Sequence, residues 1–329
     1  MLLKDVIGQE HAIKILKNSL KGNRVAHAYL FLGSEGVGKG TLTTALAQAL
    51  VCKAPIDGEG CGSCLSCQKA AHLNHPDIHY LVPAGAAIKI EQVRELQKSV
   101  YYAAYEGPYK IFIIKQVDTM TQEAANSFLK ILEEPPKDTV FLLTAAQTYS
   151  LLPTIISRCQ VIHLHKIPLD KLTEVLIAQN NLELKEAKVL ATLADGSLGK
   201  AQQLLKDGQV MANRQQLFAL LDRLKAGGSA EALKGAEELE GSKEEIIPLL
   251  DLLLFWFRDI LLYQQLGDTS FLVNLDRVTS LEKERSFYSQ KTLGHILQAI
   301  EETKKKISMN ANIRLALEVL LLDLQQCYQ

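Results

Sequence analysis

The sequence predicts an α/β domain with a mostly parallel sheet, followed by helical regions. Residues 1–165 alternate short apolar runs with helical patterns, as expected when helices join successive parallel strands. After Pro168 the strand patterns stop and only helical periodicity continues. We therefore expect an α/β domain at 1–165, a small three-helix domain at 166–208 and an all-helical domain at 209–329.

Individual elements follow from local periodicity. The candidate strands are Ala28–Leu32, Asp77–Val82, Ile111–Ile114, Val140–Thr144 and Val161–Leu164. The fourth, Val-Phe-Leu-Leu-Thr, is apolar throughout, as expected of a strand that is covered on both faces. The candidate helices are Ile90–Tyr102, Gln122–Glu134, Leu169–Asn180, Leu184–Ala194, Gly199–Leu205, Glu244–Leu266 and Asn312–Cys327. Two prolines, Pro135 and Pro136, end the second of these helices.

The composition argues against a membrane protein and against a strong global attraction to nucleic acid. Lys and Arg number 36 and Asp and Glu number 37, so the formal net charge is −1. The most hydrophobic stretch, Leu252–Tyr263, contains Arg258 and Asp259 and is too short to span a bilayer. Residues 1–20 lack the apolar core of a signal peptide. We expect a cytoplasmic protein without membrane contact, whose contacts with DNA are local or shared with partner subunits.

A glycine-rich segment after the first strand predicts a nucleotide phosphate site. It reads Gly33, Ser34, Glu35, Gly36, Val37, Gly38, Lys39, Gly40 and Thr41, and a helix at Thr41–Val51 follows. Glycines let backbone N–H groups surround phosphate oxygens, and the lysine reaches the terminal phosphates. The position after Lys39 usually supplies a hydroxyl to Mg²⁺, but here it is Gly40, and Thr41 could substitute only if the loop shifts. We expect ATP or ADP binding with weakened metal coordination; the alternative is a glycine turn without a ligand.

The third strand lacks the acidic residues that ATP hydrolysis needs. Related ATPases place an Asp-Glu pair at the end of this strand to hold Mg²⁺ and orient water. Here the strand ends in Lys115 and Gln116, which can do neither. Asp118 comes two residues later and is expected to begin the loop before the next helix. We therefore expect no unaided ATP hydrolysis.

Four of the six cysteines form a cluster that predicts a metal site. Cys52, Cys61, Cys64 and Cys67 lie within sixteen residues, whereas Cys159 and Cys327 stand alone. Four thiolates at these spacings suit one tetrahedral Zn²⁺ with a structural role. The alternatives are reduced thiols without metal, or replacement of one cysteine by one of three nearby histidines. Those histidines are His72, His75 and His79.

A turn at Ser157-Arg158-Cys159 lies between the last two candidate strands. An arginine held on a rigid turn at a domain edge can stabilise charge on a phosphoryl group in a neighbouring active site. A single arginine is more often a surface ion-pair residue. The order of the features before it is what favours the functional interpretation of Arg158.

That order resembles the AAA+ clamp-loader subunits of bacterial DNA polymerase III. The supporting stretches are Val6–Glu10, His27–Phe31, the cysteine cluster, His75–Asp77, Ala124–Pro136 and Ser157–Cys159. The resemblance is highly specific over residues 6–165 and moderate through Gly196–Lys200. Beyond residue 208 it rests on helical character and length.

The resemblance implies a role in DNA replication for a subunit that does not hydrolyse ATP itself. A motor subunit would carry Asp-Glu at Lys115-Gln116 and an arginine at Gly199. In the family the arginine of the Ser-Arg-Cys turn acts in trans, so Arg158 is the expected arginine finger for ATP on an adjacent subunit. The resemblance also implies a lid at 166–208 and an oligomerising collar from about 209.

Expected partners are the gamma/tau and delta subunits and, through the assembled complex, the sliding clamp and primed DNA. Two alternatives remain. One is an ATP-hydrolysing motor subunit or another catalytic AAA+ ATPase. The other is a nucleotide-independent zinc adaptor outside replication.

Overall fold

The computed structural model describes residues 2–239 and 241–328, which form two compact units. One unit comprises Met1–Pro168 and Gly196–Gly199, and the other comprises Leu169–Asp195 and Lys200–Gln329. The second unit therefore contains helices of both the lid and the collar expected from the sequence. The three-part division at 165 and 208 stays a prediction.

The first unit is built on a parallel sheet of five strands in the order β2-β3-β4-β1-β5. The strands are β1 Ala28–Leu32, β2 Ile78–Leu81, β3 Lys110–Ile114, β4 Thr139–Ala145 and β5 Gln160–His163. Every strand lies within one residue of its predicted bounds. The predicted α/β fold with a parallel sheet and a helical C-terminal region is confirmed.

Helices cover both faces of this sheet, and β1, β3 and β4 are buried along their whole length. The helices are α1 Glu10–Lys21, α2 Lys39–Leu50, α3 Leu65–Ala71, α4 Ile90–Val100, α5 Gln122–Glu133 and α6 Pro153–Ile156. One apolar cluster joins Leu16 and Leu46 of α1 and α2 to the sheet. On the other face, Leu96 and Phe128 of α4 and α5 pack against it. Successive side chains of each strand enter opposite clusters, which explains the continuous apolar runs.

Among its described residues, the second unit has helices as its only regular secondary structure. Beyond Pro168 the helices are α7 Leu169–Asn180, α8 Leu184–Leu193, α9 Leu198–Asp207, α10 Val210–Ala226, α11 Ser229–Glu238, α12 Lys243–Leu266, α13 Val278–Glu284, α14 Gln290–Ser308 and α15 Ile313–Gln326. The longest, α12, buries Trp256 and Phe257, and the Trp256 ring meets Phe218 of α10 edge-on at 4.8 Å. Gly267, with φ +64°, ends α12 in a left-handed turn.

The structure contains no described helix with the combination of length and apolar composition that crossing a bilayer requires.

Candidate functional site

The glycine-rich loop connects β1 to α2, as the sequence predicts. Gly38 has φ +104° and immediately precedes the first residue of α2, a backbone conformation that side chains disfavour. Gly33 lies so close to β5 that a Cβ there would be 2.7 Å from the Leu164 carbonyl oxygen. The loop is thus a tight turn at the N-terminus of a helix, the setting in which backbone N–H groups bind phosphate.

The lysine of this loop is bound by the loop itself. The Lys39 ammonium group donates to the carbonyl oxygens of Gly33 at 2.6 Å and Ser34 at 2.9 Å. Burial lowers the pKa of Lys39, and the carboxylates of Asp118 and Glu35 act in the opposite direction. A nucleotide phosphate would therefore compete with two carbonyl oxygens for the ammonium group.

A second backbone segment reaches the tip of the loop. The Gly199 N–H donates to the Gly36 carbonyl oxygen at 3.2 Å, and a Cβ at position 199 would lie 3.2 Å from the Cα and oxygen of Gly36. The family resemblance implies that a motor subunit would carry arginine at the position of Gly199. The structure adds a steric consequence: even the first atom of a side chain at 199 would press on the loop.

No carboxylate occupies the two positions at the end of β3. Lys115 and Gln116 are both exposed, and the Gln116 N–H donates to the Thr144 hydroxyl at 3.2 Å. Asp118 lies in a short 3₁₀ turn, where one oxygen accepts from the Ala146 N–H at 2.9 Å. Its other oxygen is buried without a hydrogen-bond partner in the described structure. Asp118 thus lies close enough to Lys39 to influence it electrostatically. The spacing of the two residues in the sequence does not predict this proximity.

The four clustered cysteines converge as the sequence predicts. Their Sγ atoms all lie within 4.8 Å of one another, and Cys61 Sγ is 3.9 Å from Cys67 Sγ. Thiolates bound tetrahedrally at about 2.3 Å from Zn²⁺ would be separated by about 3.8 Å. No histidine of the described chain joins this cluster. Buried His75 instead accepts the Asp77 N–H at its Nδ1. The site can hold a metal ion, and the donor set fits Zn²⁺.

The local backbone favours thiolate at one edge of this cluster. The Cys64 N–H donates to Cys61 Sγ at 3.3 Å, and this bond is the largest influence lowering the pKa of Cys61 to about 6. Burial has the opposite effect on Cys67, whose pKa is raised to about 12. A bound cation would remove this difference, because metal coordination deprotonates a thiol.

Arg158 lies at the opposite end of the sheet from the glycine-rich loop. It precedes β5, whose first residue Gln160 pairs with Tyr29, whereas the loop follows Leu32. Three strand residues plus the flanking turns give a separation on the order of 15 Å at about 3.3 Å per residue. Arg158 is therefore remote from its own chain's loop.

The guanidinium group of Arg158 contacts the end of α5. It donates to Glu133 Oε1 at 2.8 Å and to the Thr154 carbonyl oxygen at 3.1 Å. The Arg158 side chain is 34% exposed and that of Glu133 is 51% exposed. Such an open ion pair is weak and can be exchanged for another partner.

The strand order, the phosphate-type loop after β1 and the helical second unit define a P-loop domain of the AAA+ class. Residues 8–168 match the family described as "DNA polymerase III, delta subunit", and residues 209–326 match its C-terminal domain. The "DNA polymerase III subunit delta'" of Bacillus subtilis is 33% identical over 97% of this chain and 96% of its own length. The chain therefore belongs to the DNA polymerase III delta-prime family.

Similarity extends in part to other subunits of the polymerase. The "DNA polymerase III subunit tau" of Escherichia coli is 32% identical over 73% of this chain, but this covers only 38% of the tau sequence. A solved structure, a DNA polymerase III gamma subunit-related protein from Thermotoga maritima, aligns over 96% of this chain and 99% of its own. That alignment has a TM-score of 0.47 and 22% identity. The fold assignment rests on the strand order described above.

Proposed function

We propose that this chain is a non-hydrolysing, delta-prime subunit of a DNA polymerase III clamp loader. In this role it completes an ATP-driven assembly that places the sliding clamp on primed DNA. The proposal rests on the two residues that follow β3. Exposed Lys115 and Gln116 occupy the positions where ATP hydrolysis requires acidic residues. Membership of the delta-prime family links this loss of acidic residues to a subunit that does not hydrolyse ATP.

Arg158 is the residue through which the chain acts on its neighbour. Its position away from its own loop and its weak pairing with Glu133 leave it available to a nucleotide bound on an adjacent subunit. There the planar guanidinium group would stabilise charge on the transferring phosphoryl group. This arginine-finger role requires the chain to be assembled, not to turn over ATP.

The cofactor assignments follow from the two local sites. The four cysteines would hold one structural Zn²⁺, because their donor set leaves no place for a water ligand. The loop from Gly33 to Thr41 would bind ATP or ADP weakly, since Lys39 must first leave the carbonyl oxygens that it contacts.

The partners are the gamma/tau motor subunits and the delta subunit, with the clamp and primed DNA reached through the whole complex. A formal net charge of −1 suits a subunit that shares its DNA contacts. The helices from 209 onward would form the collar, 166–208 the lid, and the protein would work in the cytoplasm.

A catalytic ATPase is the rival function, and one observation favours it. The Asp118 carboxylate has an oxygen without a partner and influences Lys39 electrostatically. If it held Mg²⁺, the purified chain would hydrolyse ATP and Asp118→Asn would abolish that activity. We expect no activity in either protein.

The direct test of the proposed role is reconstitution with the motor and delta subunits. The expected results are co-elution of this chain in one complex and clamp loading onto primed DNA that depends on its presence. Normal loading by a complex that lacks the chain would reject the proposal.

A further inference from the structure

The second unit brings together three metal-ligand side chains that are far apart in the sequence. His295 lies on α14, Asp323 lies on α15, and Cys327 follows the last turn of α15. One ligand atom from each lies within 4.8 Å of the other two. Apart from the four-cysteine site, this is the one such group of three or more in residues 2–239 and 241–328.

Helix geometry explains why two of the three side chains point the same way. Asp323 and Cys327 are four residues apart, which places them on one face of a helix. The helical backbone continues to Cys327, whose N–H donates to the Asp323 carbonyl oxygen at 3.2 Å. The His295 side chain approaches this face from α14, and its Nε2 lies 2.9 Å from Asp323 Oδ2.

These distances suit a small divalent cation after minor side-chain adjustment. Ligand atoms at about 2.0–2.3 Å from Zn²⁺ in a tetrahedron are separated by about 3.3–3.6 Å. The His295–Asp323 contact is slightly shorter than this, and the thiol sulfur, which already lies within 4.8 Å of both ligand atoms, needs only to move closer to them. The His295 side chain is 58% exposed, so an ion can enter from solvent without unfolding the helices.

The mixed donor set indicates the class of ion. Imidazole, carboxylate and thiolate together suit Zn²⁺ and similar late first-row divalent ions, whereas Mg²⁺ and Ca²⁺ require oxygen ligands. Three protein ligands leave a fourth position for water or another ligand. Binding would displace the thiol proton and connect α14 to α15 through a metal bridge.

We propose that His295, Asp323 and Cys327 form a second transition-metal site, specific for Zn²⁺-like ions, that links α14 and α15. The site is separate from the four-cysteine cluster and shares no residue with it. It does not depend on the role of the chain in replication. Without a metal the same residues make only a solvent-exposed histidine–carboxylate contact beside a thiol.

The test is the zinc stoichiometry of the 329-residue chain. Metal-free protein is titrated with Zn²⁺, freed of loosely bound ion and analysed for bound metal. The wild type should hold two equivalents, and His295→Gln and Cys327→Ser should each hold one. His11→Gln removes an exposed histidine outside the cluster and should keep two. Cys64→Ser, which affects only the other site, should keep the equivalent at α14 and α15.

Co²⁺ provides an independent measurement. The wild type should show a thiolate-to-cobalt absorption band that weakens on Cys327→Ser, and Zn²⁺ should raise its melting temperature more than that of His295→Gln. One equivalent in the wild type, or two retained in both His295→Gln and Cys327→Ser, would overturn the proposal.

Discussion

At the residue scale, Arg158 is held by one ion pair and one hydrogen bond to a carbonyl oxygen. Its pair with Glu133 is open to solvent, and such pairs contribute about 0–1 kcal/mol. We therefore expect that the side chain can be removed without unfolding the turn that carries it, so that its proposed function can be tested separately from folding.

We therefore predict that Arg158→Ala changes the free energy of unfolding by less than about 1 kcal/mol. Urea denaturation of the isolated chain measures this, with Glu133→Gln as the matched variant that breaks the same pair from the other side. A loss of several kcal/mol in Arg158→Ala alone would mean that the arginine is structural.

Lys39 provides a second test at this scale. Its ammonium group is bound to the carbonyl oxygens of Gly33 and Ser34, so we predict that a fluorescent ATP analogue binds weakly. Lys39→Ala should reduce this affinity at least about tenfold. That loss is the equivalent of one charge-assisted hydrogen bond. Lys14→Ala, an exposed lysine on α1, should leave affinity unchanged. Equal affinity in all three proteins, or no binding at millimolar analogue, would show that the loop is not a nucleotide site.

At the scale of elements, the cysteine cluster connects a loop to the start of α3. Cys64 is the N-cap of α3, where its Sγ accepts the Cys67 N–H, so one residue is both a candidate metal ligand and the cap of the helix. We predict that Cys64→Ser loses about one Zn²⁺ per chain and makes the segment 52–67 susceptible to limited proteolysis. Cys159→Ser, which alters a thiol outside the cluster, should retain the metal. Unchanged zinc in Cys64→Ser would contradict the four-thiolate site.

The long helix α12 carries a buried acid that should make stability depend on pH. Asp259 Oδ2 accepts the N–H groups of Val273 and Asn274 and the Asn274 side-chain amide, at 2.8–2.9 Å, while Oδ1 has no partner in the described structure. Burial raises the pKa of Asp259 in spite of these bonds. The folded chain therefore binds this proton more tightly than the unfolded chain does. Its contribution is complete below the unfolded pKa of about 3.9 and decreases as pH rises through the folded-state value.

We predict that the free energy of unfolding of the wild type, relative to Asp259→Asn, decreases as pH rises from about 4 toward 7. The asparagine cannot ionise and still offers an oxygen to Val273 and Asn274. Trp256, the single tryptophan and also on α12, reports this transition by fluorescence during denaturation. A difference that is constant with pH would mean that Asp259 does not titrate in this range.

At the scale of the whole molecule, local periodicity predicted the five strands and several helices, but it gave no bounds for α1, α3, α6, α10, α11, α13 and α14. Buried runs such as Val140–Thr144 have few alternatives to a covered parallel strand, and α7 is found at its predicted bounds. The convergence of Cys52, Cys61, Cys64 and Cys67 was also predictable, because all four lie in one short segment.

Contacts between distant segments could not be predicted in this way. The contact of Gly199 with Gly36, the partly unpaired acid Asp118 and the approach of His295 to Asp323 each depend on the packing of separate elements. The spacing of these residues along the sequence does not predict how close they lie in the structure. Cys327 appears isolated in the sequence for the same reason.

The whole assembly provides the most direct test of the central claim that this chain supplies an arginine but no turnover. DNA-stimulated ATP hydrolysis should be measured for the motor and delta subunits with wild-type chain, with Arg158→Ala and with Arg158→Lys. We predict no hydrolysis by the isolated chain, and loss of turnover at the adjacent motor site on the order of 10³-fold with Arg158→Ala in an intact complex. Lysine should not restore it, because it lacks the planar fork of donors. Full turnover with Arg158→Ala, or hydrolysis by the chain alone, would contradict the account.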